Sequence, residues 1–97
     1  MMGIPFKEKF WRLIKEGKKT TTIRTLKYDY NGICLVKGTD IKIEILSKRL
    51  ISIPDDIDDE VVKSEGFKDK NELLRFFHRY KLPQTMKIYN FKVINTV

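Results

Sequence analysis

Two lysines, three threonines and an arginine lie within one eight-residue run, and these side chains could bind or activate a polar ligand. The run is Gly17-Lys18-Lys19-Thr20-Thr21-Thr22-Ile23-Arg24. Cationic side chains attract anions, and a threonine hydroxyl both donates and accepts hydrogen bonds. Gly17 is typical of the end of a helix, and the β-branched residues after it favour a strand. We therefore expect a site for a polar, anionic or nucleotide-like ligand where a helix is followed by a strand.

The length and composition predict one domain that spans residues 1–97. The chain is 41% apolar and 11% aromatic, which supports one packed core. No apolar run approaches the ~20 residues of a membrane helix, and the N-terminus lacks a signal-peptide pattern, so we expect a cytoplasmic protein with no membrane partner. Cys34 is expected to be a small buried strand residue. No set of metal ligands is visible, and we expect neither a metal nor a cofactor.

The formal charge of +7 favours a polyanionic partner, with RNA or DNA the commonest. The alternative is that the lysines only solvate a small protein. Acidic residues concentrate at positions 55–60, directly after Pro54. Because acids stabilise the first turn of a helix, we interpret this cluster as a helix start rather than as a metal site.

The hydrophobic periodicity places the basic run between secondary-structure elements. Residues 5–16 have the spacing of an amphipathic helix, with Phe6, Phe10, Leu13 and Ile14 on one face. Residues 20–26 read as a strand in which Thr22 and Arg24 share a face. The pair Asn31-Gly32 predicts a hairpin or tight loop before a strand over 33–36.

The remaining pattern predicts further strands and two helices. Alternation over 41–45 and 51–53 indicates strand segments separated by a polar break at 47–49. Asp55 or Asp56 is expected to cap a helix over about 57–64 that Gly66 ends, and Asp69 with Glu72 starts a third. The predicted core face of this third helix comprises Leu73, Phe76, Phe77 and Tyr80. Residues 86–93 are predicted to form the last strand. The predicted fold is α+β, a small and mainly antiparallel β-barrel with about three short helices.

The chain resembles the ASCH family, whose domains are small barrels similar to the PUA RNA-binding fold. The residues that carry the resemblance are Phe10-Trp11-Arg12-Leu13-Ile14, the run from Gly17 to Arg24, and the weaker element Glu65-Gly66-Phe67. The turn Gly38-Thr39-Asp40 departs from the family by one inserted residue, so no ligand role is assigned to Asp40. The resemblance implies binding of RNA or of a nucleoside or nucleotide.

Thr22 stands where many ASCH domains carry glutamate, and this makes the motif similar to that of the bacterial amidohydrolases that remove the acetyl group of acetylcytidine. That resemblance implies a catalytic set of Lys19, Thr22 and Glu65, with Glu72 as the second choice for the acid. Lys18 and Arg24 become candidate ligand-binding residues. Thr22 would attack the acetyl carbonyl, Lys19 would act as its base, and Glu65 would protonate the leaving nitrogen.

The catalytic interpretation carries a geometric condition. Residues 19 and 22 point to opposite faces of a regular strand, so Lys19 must lie in the turn before the strand. Each residue also has a simpler interpretation: Lys19 and Glu65 as solvated residues at helix ends, Thr22 as a strand former, and Arg24 as an ion-pair partner. The alternative function is a non-catalytic RNA-binding or protein-interaction module.

Overall fold

The computed structural model describes residues 1–94 of the chain. These residues form five strands and three helices. In chain order they are β1 (Met2–Ile4), α1 (Glu8–Lys15), β2 (Thr21–Arg24), β3 (Ile33–Val36), β4 (Lys42–Ser52), α2 (Asp59–Glu65), α3 (Lys70–Arg79) and β5 (Thr85–Ile94). The α+β class and the three helices are confirmed. None of the helices in the described part of the chain is long and apolar enough to cross a membrane.

The five strands form one sheet in the order β1-β3-β4-β5-β2. The β1–β3 pair is parallel and the other three pairs are antiparallel, so the mainly antiparallel arrangement is confirmed. Within residues 1–94 the sheet does not close into the predicted barrel, because β1 and β2 remain its two edges. Arg24, at the end of β2, instead donates a side-chain hydrogen bond to the carbonyl of Pro5, just beyond β1. The Arg24 side chain therefore connects the two edges of the sheet, where a closed barrel would have backbone hydrogen bonds between β1 and β2.

Three strands differ from the prediction. The edge strand β1 was not predicted, because its three residues are too few to show a periodicity. Helix α1, which follows it, starts at Glu8 rather than at residue 5. Strand β4 continues through the polar residues 47–49, where a bulge between Ile45 and Ser47 shifts its register against β5. Strand β2 ends at Arg24 and pairs with β5, so it forms no hairpin with β3. The alternative of a tight loop before β3 is confirmed, with Gly32 at φ +64°.

Helix boundaries follow local capping chemistry. Helix α2 begins after Asp58, whose carboxylate accepts from the Val61 N–H at 2.9 Å, so the predicted caps Asp55 and Asp56 are wrong. The Asp56 carboxylate is engaged elsewhere, since it accepts from the Ser52 N–H at 2.6 Å. Gly66 ends α2 in the left-handed conformation at φ +89°, as predicted. Asp69 caps α3 by accepting from the N–H of Glu72, also as predicted.

Buried side chains form two hydrophobic clusters, and β5 contributes to both. Tyr89 and Phe91 belong to the cluster under α1, whereas Met86 and Ile88 belong to the cluster under α2 and α3. Phe67 packs against both clusters, so it marks their boundary. Cys34 is buried on β3 as predicted. On the predicted core face of α3, Leu73 and Phe77 are buried, but Tyr80 is 45% exposed because α3 ends at Arg79.

Candidate active site

A cavity of about 420 Å³ opens at the boundary between the two clusters. It lies between the segment that precedes α1, strand β2, the end of α2, and α3. Five aromatic side chains line it, and four polar side chains of the predicted site reach it. The aromatic residues are Phe6, Phe10, Phe67, Phe76 and Phe77, and the four polar residues are Lys19, Thr22, Arg24 and Glu65.

Lys19 lies in the turn before β2. The N–H groups of Lys18 and Lys19 both donate to the Leu13 carbonyl, at 2.8 and 3.0 Å, and Gly17 adopts φ +75°. This tight exit from α1 directs the Lys19 side chain into the protein, where its exposed fraction is 3%. Its Nζ donates to the backbone carbonyl of Glu65 at 2.6 Å and lies 4.7 Å from the ring centre of Phe10. The geometric condition for a shared site with Thr22 is therefore met.

Glu65 is the last residue of α2 and is 4% exposed, so the interpretation of a solvated helix-end residue is wrong. Its Oε1 lies 3.7 Å from the Nζ of Lys19, and its Oε2 accepts from the Thr21 hydroxyl at 2.5 Å. Glu72 is half-buried in the first turn of α3 and is not among the residues that line the cavity. Of the two candidate acids, the structure brings Glu65 to Lys19 and Thr22.

Burial acts on both members of the Lys19–Glu65 pair in favour of their uncharged forms. Loss of hydration lowers the pKa of Lys19, and the positive charge of Arg24 adds to this effect while Glu65 opposes it. Loss of hydration likewise raises the pKa of Glu65, against the attraction of Lys19 and the hydrogen bond from Thr21. Burial thus shifts the pKa of each group in the direction that its uncharged form requires.

Arg24 fixes the hydrogen-bonding role of the Thr22 hydroxyl. The Nε of Arg24 donates to the Thr22 Oγ1 at 2.9 Å, its Nη2 donates to the Pro5 carbonyl at 2.6 Å, and its guanidinium lies 4.7 Å from the Phe6 ring centre. Because a guanidinium can only donate, Thr22 must accept this bond. Its own hydroxyl proton therefore remains available to another acceptor.

Lys18 lies outside this site. Its side chain is 68% exposed and 3.8 Å from the Glu16 carboxylate. It lines a separate groove together with Thr20, Lys63 and Ser64. The two adjacent lysines therefore occupy opposite environments.

The sequence interpretation missed two parts of the site. The aromatic residues of the cavity were not predicted as a group, although Phe6 and Phe10 were assigned to one face and Phe67 directly follows Gly66. The contact between Thr21 and Glu65 was also missed, because it joins residues 44 positions apart. No cluster of three potential metal ligands occurs among residues 1–94.

Three solved structures resemble the fold over most of the chain. The hypothetical protein PH0355 is similar with a TM-score of 0.77 and 18% identity, over 96% of this chain and 98% of that one. An ASCH domain from Lactobacillus crispatus JV V101 has a TM-score of 0.61 and 19% identity, over 84% of this chain and 68% of that one. Protein EF3133 from Enterococcus faecalis V583, described with the family DUF984, has a TM-score of 0.65 and 17% identity, over 89% and 67%.

No protein-family model and no curated protein sequence matches the chain. The structural likeness, at identities below 20%, concerns the fold. The chain has the fold of an ASCH domain, and the resemblance predicted from the sequence is confirmed at this level.

Proposed function

We propose that this protein binds an acylated nucleoside such as acetylcytidine in the cavity and hydrolyses the amide between the acyl group and the exocyclic nitrogen. The observation that carries the proposal is the buried Lys19–Glu65 pair, which shares the cavity with the hydroxyl of Thr22. The similarity of Lys19, Thr22 and Glu65 to the motif of the acetylcytidine amidohydrolases supports the same substrate.

The size and lining of the cavity suit a planar base. Small-molecule sites span about 300–1,000 Å³, and the cavity of about 420 Å³ falls in this range. Bases stack readily on aromatic rings, and here the ring centres of Phe10 and Phe6 lie 4.7 Å from the Lys19 amine and the Arg24 guanidinium, respectively. A base held among the rings would direct its acylated amine towards Thr22 and Glu65.

In the first half of the reaction, the neutral amine of Lys19 takes the hydroxyl proton of Thr22. The Thr22 oxygen attacks the acyl carbonyl carbon, and the positive charge of Arg24 stabilises the negative oxygen that develops. Glu65 gives its proton to the exocyclic nitrogen as the carbon–nitrogen bond breaks. Cytidine leaves, and the acyl group remains on Thr22.

In the second half, the ester on Thr22 is hydrolysed. The Glu65 carboxylate takes a proton from the attacking water, and the Lys19 ammonium returns its proton to the Thr22 oxygen as the ester breaks. The acid is released, and both residues regain the neutral forms that burial favours. The cycle therefore balances with water as the second substrate.

A pair of valine variants tests this assignment. Purified protein is incubated with acetylcytidine, and cytidine release is followed by liquid chromatography. Thr22→Val preserves the shape of a strand former without the hydroxyl, and we expect turnover to fall by at least about 10³-fold because the nucleophile is lost. Thr20→Val is the matched control, since Thr20 is exposed and lines the other groove. Full activity of Thr22→Val would contradict the proposed role.

The net charge of +7 favours a second candidate function, the binding of RNA without catalysis. The resemblance to PUA-like folds adds to this alternative. If folded wild-type protein released neither the acid nor cytidine from acetylcytidine, RNA binding would be favoured over hydrolysis. Circular dichroism on the same sample establishes that the protein is folded.

A further inference from the structure

The hydroxyls of Thr21 and Ser64 form a chain that ends on the carboxyl group of Glu65. The Thr21 Oγ1 lies 2.9 Å from the Ser64 Oγ and 2.5 Å from the Glu65 Oε2. The Ser64 hydroxyl also lies 3.1 Å from the carbonyl of Val61, as its donor. Thr21 is 4% exposed, whereas Ser64 lines the groove that lies apart from the main cavity. Neither hydroxyl has a role in the two half-reactions described above.

The two hydroxyls satisfy the hydrogen-bonding needs of Glu65 when its carboxyl group is ionised. A carboxylate only accepts hydrogen bonds, so Thr21 must donate its single hydroxyl proton to the Glu65 Oε2. Ser64 then donates either to the Thr21 oxygen or to the carbonyl of Val61. Each hydroxyl proton has an acceptor in this state.

The same chain satisfies Glu65 when the side chain is protonated. Until a substrate nitrogen takes the proton, the Glu65 O–H donates to Thr21, Thr21 donates to Ser64, and Ser64 donates to the carbonyl of Val61. The carbonyl can only accept, so it ends the chain without leaving a proton unbonded. Reversing at most two hydroxyls changes one state into the other, and no heavy atom has to move.

We infer that Thr21 and Ser64 are positioning residues that hold Glu65 in one place while it gives up and regains its proton. The inference deepens the proposed function and rests on it, since only a reaction requires Glu65 to change its protonation state. The charged groups that face Glu65 are Lys19 and Arg24, from the turn and strand packed against α2. Those side chains are donors in their charged forms, whereas the two hydroxyls can reverse.

The two hydroxyls make opposite predictions for the titration of Glu65. Thr21→Val removes the donor to the carboxylate, and because hydrogen bonds to charged groups are the stronger ones, we expect the pKa of Glu65 to rise relative to wild type. Ser64→Ala leaves that donor in place but removes the acceptor that Thr21 needs when Glu65 is protonated. We therefore expect Ser64→Ala to lower the pKa of Glu65. A role in packing alone would give no such pair of opposite shifts.

The first experiment is an NMR titration of the Glu65 carboxyl carbon in wild-type protein, Thr21→Val, Thr21→Ser and Ser64→Ala, without substrate. Thr21→Ser retains the hydroxyl and should titrate as wild type does. Thr20→Val controls for the loss of a hydroxyl beside the chain. Unchanged titrations of Glu65 in both Thr21→Val and Ser64→Ala would overturn the inference, and so would shifts in the same direction.

The second experiment measures kcat and KM for acetylcytidine over pH. We expect Thr21→Val to lower kcat by about tenfold or more with little change in KM, because a buried carboxyl oxygen loses its partner, and Thr21→Ser to restore most of the rate. Wild-type kcat in a folded Thr21→Val variant would overturn the inference while the proposed function stands. Wild-type protein that releases no cytidine would overturn the proposed function, even if the NMR titration shows the two opposite shifts.

Discussion

At the scale of single residues, Lys19 and Glu65 are two ionisable groups that the protein removes from water in direct proximity. Each is less than 5% exposed, and the Lys19 Nζ lies 3.7 Å from the Glu65 Oε1. Removal of ions from water costs several kcal/mol each, which mutual attraction only partly offsets. This cost lowers the pKa of Lys19 and raises the pKa of Glu65, and both shifts run towards the uncharged forms that the proposed reaction uses.

The pair predicts a bell-shaped dependence of kcat/KM on pH. Activity should fall towards low pH because Lys19 gains a proton, at a pH below the ordinary lysine pKa of about 10.4. It should fall towards high pH because Glu65 loses its proton, at a pH above the ordinary glutamate value of about 4.3. The measurement is kcat/KM for acetylcytidine from acid to alkaline pH.

A pair of glutamine variants assigns the alkaline limb of that profile. Glu65→Gln cannot give up a proton, so we expect about 10²–10⁴-fold lower activity, with the alkaline limb absent from what remains. Glu72→Gln is the control, because Glu72 is the other candidate acid from the sequence. A Glu72→Gln variant that lost the alkaline limb would contradict the assignment of Glu65.

The sequence led to Lys19, Thr22, Arg24 and Glu65 because the motif is local and because the family resemblance linked it to a distant acid. It also placed Lys18 in the site as a ligand-binding residue, whereas the backbone of the turn directs Lys18 to the surface and Lys19 into the protein. The contact between Thr21 and Glu65 was also beyond the sequence. On a strand it points away from Thr22, and only the position of α2 brings the Glu65 carboxyl to its hydroxyl.

At the scale of elements, the end of α2 fixes the acid of the site. Gly66 adopts φ +89° directly after Glu65, a conformation that costs an L-residue about 1–2 kcal/mol. A Cβ at this position would lie 3.2 Å from the Leu13 Cδ1 and 3.6 Å from the Lys19 Cβ. The turn after α2 thus packs against the same segment that carries Lys19.

Gly66→Ala should lower the free energy of unfolding by about 1–2 kcal/mol and should also reduce turnover, since it displaces groups on both sides of the Lys19–Glu65 pair. Gly32→Ala is the matched control, because Gly32 is at φ +64° with nothing within 4 Å of its added Cβ. It should lose comparable stability and keep its activity. Urea unfolding and cytidine release measure the two effects, and equal turnover in the two variants would contradict the proposed link.

The elements were predictable where local chemistry decides them. Gly66 as a helix stop and Asp69 as a helix start depend on side chains and backbone a few residues apart. The pairing of β2 with β5 joins Thr22 to Tyr89 across most of the chain, and no short-range pattern encodes it. The bulge in β4 likewise depends on the register against β5, which is why its polar stretch read as a break.

At the scale of the whole molecule, the charge of +7 and the aromatic cavity favour two different modes of binding. Contacts to phosphates release counterions, and their strength falls with salt. Insertion of an uncharged nucleoside among phenylalanine rings depends mainly on stacking and burial, which salt weakens little. The dependence of affinity on ionic strength therefore distinguishes binding at the charged surface from binding in the cavity.

We expect the affinity for single-stranded RNA to fall with salt, with a slope of log K against log salt of about −0.7 for each phosphate contacted. The affinity for acetylcytidine should change little over the same range, measured with Thr22→Val so that turnover does not interfere. Fluorescence anisotropy for RNA and calorimetry for the nucleoside provide the two data sets. Nucleoside binding that weakened as steeply as RNA binding would contradict its placement in the aromatic cavity.

The most direct test of the central claim is cytidine release from acetylcytidine by Lys19→Met beside Lys18→Met. The two variants remove the same charge from adjacent positions, one inside the cavity and one on the surface. We predict a loss of at least about 10²-fold for Lys19→Met, because Thr22 loses its base, and a change of no more than about twofold for Lys18→Met. Equal activities in the two folded variants would contradict the claim that Lys19 activates Thr22 within this cavity.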